Sequence, residues 1–68
     1  MSTEFVVFLD SEKGPCWRAA FADLDEAEHA AQKLATAEGA ESFVYSLKHF
    51  YEVERFFPAD RRAFLAQN

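Results

Sequence analysis

Phe43-Val44-Tyr45-Ser46-Leu47-Lys48-His49-Phe50-Tyr51-Glu52-Val53-Glu54-Arg55-Phe56-Phe57 is the stretch whose reading decides the fold of this chain. Its alternate positions, Phe43, Tyr45, Leu47, His49, Tyr51, Val53, Arg55 and Phe57, are apolar or amphipathic, and a period of two marks a strand with one buried face. Fully extended, such a ribbon would run roughly 50 Å, whereas a globule of this size has a radius of gyration near ~11 Å. The ribbon therefore bends or leaves its own domain. Residues 43–47 read as strand. In the second half, Leu47, Phe50, Tyr51 and Phe57 also fit helical spacing, and Lys48, Glu52, Glu54 and Arg55 favour helix, but Phe, Tyr and Val favour strand, which is the reading taken. The expectation is a long third strand with an apolar face and a free edge, and such an edge invites another chain.

Upstream, Phe5-Val6-Val7-Phe8-Leu9 is apolar on both faces of any strand it forms, the pattern of a central strand. Residues 10–15 then break it with turn formers, Gly14 relaxing φ and Pro15 fixing it, so a hairpin to a second strand over residues 16–22 is expected. Asp23 or Asp25 caps the next helix, and Asp23 with Glu26 has the spacing of a capping box. Ala27, Ala30, Ala31, Leu34 and Ala35 recur at helical spacing on one face, and Gly39 supplies the left-handed residue that ends the helix. A face so rich in alanine lets the helix axis sit close to a sheet whose Phe, Tyr and Trp side chains supply the volume. Pro58 stops the long ribbon, and residues 59–67 are expected to form a short C-terminal helix with Phe64 and Leu65 as its docking pair.

The order strand, strand, helix, strand makes the helix a right-handed crossover between parallel second and third strands. With the doubly apolar strand in the middle, residues 1–68 are predicted to form a single α+β domain: a three-stranded sheet in the order 2-1-3, one helix on one face, a long third strand at the edge and a short C-terminal helix. One helix covers one face only. The other needs a second cover, which a twofold partner would supply.

Composition narrows function mainly by exclusion. Half of the 68 residues are hydrophobic, which rules out disorder, and a chain this small gains from self-association. The net charge of −5 disfavours nucleic acid. The apolar run at residues 5–9 is too short for a membrane span or a signal peptide core, and the single cysteine, Cys16, fits a reducing compartment, so a cytoplasmic location without membrane association is expected.

Candidate chemistry is sparse. Cys16 with His29 or His49 would need a carboxylate and an oxyanion site that no motif builds, so Cys16 reads as a small hydrophobe beside Trp17. Asp25 and His29 share a helical face at metal-ligand spacing, but two ligands define no site. Asp23, Asp25, Glu26 and Glu28 could imitate phosphates, although their place at a helix start is explained by the helix dipole alone. No enzyme activity, cofactor or metal is expected. The residues expected to bind protein are Trp17, Tyr45, His49, Tyr51, Val53, Arg55, Phe56 and Phe57. The leading expectation is a non-catalytic protein-binding module that self-associates as a homodimer through its long C-terminal strand, with a second protein as a further partner. The alternative is an acidic, phage-type inhibitor or adaptor that blocks a partner enzyme or nucleic-acid-binding protein.

Overall fold

The computed structural model describes residues 3–58. In chain order the elements are β1 (Phe5–Ser11), β2 (Gly14–Phe21), α1 (Leu24–Glu38), β3 (Ser42–Ser46) and β4 (Tyr51–Phe56). The class is α+β, with one sheet in the order β2-β1-β3-β4. Every neighbouring pair is antiparallel. β1 is the central strand expected, and β2 and β3 flank it in parallel with α1 as the crossover. The expected C-terminal helix lies outside the described residues. No helix among the described residues is long and apolar enough to cross a membrane.

The sheet has four strands, not three, and this corrects the expected long edge strand. β3 stops at Ser46, residues 47–50 turn, and β4 returns along β3, so β4 and not β3 forms the edge. The physical reason is backbone satisfaction: a projecting ribbon would leave its N–H and C=O groups without partners, whereas folding back pairs them in a ladder. Ser46 organises the turn. Its carbonyl accepts the Phe50 N–H at 2.8 Å and its Oγ accepts the His49 N–H at 3.1 Å. Closure puts Phe50 at φ 59°, in the left-handed region, which costs a residue with a Cβ about 1 kcal/mol.

The turn also overturns the reading of one continuous face. Pairing Ser46 with Tyr51 and Tyr45 with Glu52 inverts the alternation, and a bulge that inserts Val53 restores it, so that Phe43 opposes Arg55. Phe43, Tyr45 and Arg55 therefore share one face of the sheet, while Val53 and Phe56 pack on the core beneath the helix. A second bulge, at Arg18 of β2, lies between the pairs Val7 with Ala19 and Phe8 with Trp17.

The helix forms as its sequence requires. The Asp23 carboxylate accepts the Glu26 N–H at 3.1 Å at the N-terminus, and Gly39, at φ 66°, donates its N–H to the Ala35 carbonyl at 2.9 Å to close the other end. Ala27, Ala31 and Ala35 are fully buried. Ala27 and Ala31 cluster with Val7 and Val44, and Phe5, Ala19, Phe21, Leu24, Leu34, Val53 and Phe56 ring that cluster. The Ser42 hydroxyl, also fully buried, donates to the Ala31 carbonyl and ties β3 to the middle of α1. At the first hairpin, the Ser11 hydroxyl donates to the Gly14 carbonyl at 2.7 Å, and Gly14 takes the positive φ that the tight turn needs.

Because the alanine face sets how closely α1 approaches the sheet, Ala31→Leu is expected to destabilise the chain by about 1–3 kcal/mol through overpacking. Urea denaturation followed by circular dichroism measures this; an unchanged midpoint would mean that the helix does not lie tightly on Val7 and Val44.

Candidate functional site

With α1 on one side, the other side of the sheet is a face that no helix among the described residues covers. Register places Val6, Phe8 and Asp10 of β1, Pro15, Trp17 and Ala20 of β2, Phe43 and Tyr45 of β3, and Glu52 and Arg55 of β4 on it. Its floor is aromatic. Phe8 stacks on Phe43 with ring centroids 5.2 Å apart, and Tyr45 meets Phe8 edge-on at 6.5 Å. Phe8, Pro15, Phe43 and Tyr45 line a shallow apolar cleft of about 250 Å³. Trp17, opposite Phe8 on the outer strand, is 62% exposed.

Arg55 closes one corner of this face. Its guanidinium lies 4.8 Å from the Phe43 ring centroid. It donates two bonds to Glu52, from Nη2 at 2.8 Å and from Nε at 3.0 Å, and Nη1 donates to Asp10 at 2.9 Å and to Glu41 at 3.1 Å. Glu52 contributes most to holding the Arg55 proton, Asp10 next, and Glu41 adds to them after the opposing effect of burial, so the group sits well above the ordinary guanidinium range. The network joins the edge strand to β1 and to the loop after α1. Among the described residues, Asp10 and Glu52 set two carboxylates against the Arg55 guanidinium at this corner.

A second apolar patch lies at the β3–β4 turn, where Leu47 is 45%, Phe50 76% and Tyr51 56% exposed. His49 meets the Tyr51 ring at 5.9 Å, and Lys48 stands between these side chains in sequence. Leu47 continues the alternation of Phe43 and Tyr45, so the turn extends the open face at its far end.

The residues expected to bind protein thus divide into three groups. Trp17, Tyr45 and Arg55 come together on the open face. His49 and Tyr51 lie at the turn. Val53 and Phe56 face the helix-side core, where they hold the fold, and half-exposed Phe57 follows β4. Sequence reasoning passed over Phe8, Pro15 and Phe50 as surface residues. The doubly apolar β1 signalled Phe8, but nothing local announced that Phe50 would close a turn. The edges offer less than a free strand would: β2 carries Pro15 and the Arg18 bulge, while β4 carries Glu52, Glu54 and Arg55 and the Val53 bulge, all of which discourage strand addition.

Catalytic and metal constellations gain nothing from the fold. Cys16 is exposed, with the Ser11 hydroxyl 3.8 Å from its sulfur. Among the described residues no group of three or more His, Cys, Asp or Glu side chains could hold a metal ion. The Asp23 carboxylate is engaged in capping. Comparison with protein-family models, with curated proteins and with solved structures gives no match. The functional reading rests on the geometry of this chain alone.

Arg55→Gln would leave Asp10 and Glu52 gathered without the guanidinium they share. A loss of about 1–2 kcal/mol is expected at pH 7 and low salt, shrinking as added salt screens the repulsion between the carboxylates. Stability measured against salt concentration in both chains checks this; an equal loss at low and high salt would mean that the charges contribute little.

Proposed function

We propose that this chain is a small non-catalytic protein-binding module that self-associates, with the open sheet face as its contact surface. The observation that carries the reading is the exposed Trp17 beside the half-buried Phe8 and Tyr45, on a face with an apolar cleft and no helix over it among the described residues. Tryptophan and tyrosine join large apolar area to one polar atom, which suits a surface that is wet in one state and buried in another. The simplest partner is a second copy, since two such faces packed sheet on sheet would each supply the cover the other lacks.

The contact differs in kind from pairing through a long strand. Side chains of the sheet face carry it, and the backbone edge does not. Val53→Glu would accordingly destabilise the core beneath α1 and so say nothing about association. Trp17→Arg places charge on the open face without touching that core.

Light scattering or sedimentation at increasing concentration is expected to give the wild-type chain a mass about twice 7.8 kDa, and Trp17→Arg a monomer with the same circular dichroism spectrum. A wild-type chain that stays monomeric at every concentration would refute self-association. A Trp17→Arg dimer as tight as the wild type would refute this face.

A further inference from the structure

We infer that the β3–β4 turn is a docking knob that seats in the apolar cleft of a second copy, so that two chains stack with their strands antiparallel and each turn reaches the far end of the other's open face. The inference rests on the proposal that the open face takes a second copy, and it names the register and the residues.

The first observation is Phe50. A turn residue at φ 59° is ordinarily glycine or asparagine, and a phenylalanine there is strained. Phe50 recovers little of that cost within its own chain, being 76% exposed. Leu47 and Tyr51 beside it are also largely exposed, so the turn presents a cluster of large apolar side chains to solvent.

Area and charge select the occupant. Four strands spaced about 4.8 Å apart and some six residues long present a face on the order of 400 Å² in projection, while a standard stable interface buries about 800 Å² of accessible surface per partner. Contacts beyond the flat face would strengthen the pair, and the turn is continuous with that face through Leu47 and Tyr45. The cleft of Phe8, Pro15, Phe43 and Tyr45 lies towards the opposite end of the sheet from the turn. A twofold axis between them, which reverses strand direction, superposes the turn of one chain on the cleft of the other and does so twice. Beside the cleft stands the corner where, among the described residues, the Asp10 and Glu52 carboxylates flank Arg55. Lys48 brings positive charge to the turn that would approach it, so charge favours this register over one in which two turns meet.

Two measurements test the inference. Phe50→Asn suits the left-handed position, so the thermal midpoint of the chain at high dilution should hold or rise. Its self-association should weaken by at least about tenfold, as expected for an aromatic anchor. In a Cys16→Ser background, a Phe50→Cys chain mixed with a Pro15→Cys chain should cross-link to each other under diamide in preference to either pairing with itself. A wild-type monomer would refute the underlying self-association. If the wild type dimerises and Trp17→Arg disrupts it, the open face stands; an unchanged Phe50→Asn association constant, or preferential linking of Phe50→Cys to itself, would then overturn the knob-and-cleft register alone.

Discussion

Contact between Ala27 and Ala31 of the helix and Val7 and Val44 of the sheet sets the position of every other element. Without side-chain bulk on the helix, its backbone comes near enough for the Ser42 hydroxyl to reach the Ala31 carbonyl. That bond would not form beneath a helix held off by leucines. The close approach is also economical of core, which matters in a chain with little surface to bury. Phe5, Phe21, Leu24 and Leu34 then fill the margin that the small residues leave open.

The same contact leaves one side of the sheet without a helix among the described residues. The helix lies mainly across the middle of the sheet, and among the described residues the aromatic side chains of the opposite face find their neighbours within that face. Phe8, Phe43 and Tyr45 do so by stacking on one another, with Arg55 over the Phe43 ring. Trp17 at the outer strand does not reach that shelter. Rings that pack well enough to keep the face ordered still leave an apolar surface, and the proposed self-association would draw on the same residues that stabilise the sheet.

The edges and the turn show how the fold limits indiscriminate pairing. Bulges at Arg18 and Val53 and the charged positions of β4 blunt the two outer strands, so that backbone strand addition is discouraged at both edges. Apolar surface is exposed instead at the open face and at the β3–β4 turn, where the proposed association would be selected by shape and charge.

Much of the architecture was legible in local pattern. The doubly apolar residues 5–9 identified the central strand, the alanine spacing with Asp23 and Gly39 identified the helix and both of its ends, and their order implied the crossover that places β1 between β2 and β3. Trp17, Tyr45 and Arg55 were recognised as surface candidates and do share a face. Misread were the number of strands and the sides taken by Val53 and Phe56, because residues 43–57 alternate without interruption and contain no glycine, proline or asparagine to announce a turn.

By itself, then, the sequence determined where hydrophobic periodicity and caps place the central strand and the helix, since these depend on residues close together along the chain. Tertiary structure alone decided that the ribbon folds back at Ser46, that a bulge at Val53 shifts the alternation, and that Arg55 meets Asp10 and Glu41. Those outcomes depend on backbone groups and charges distant in sequence finding partners across the sheet, and local alternation carries no record of that requirement.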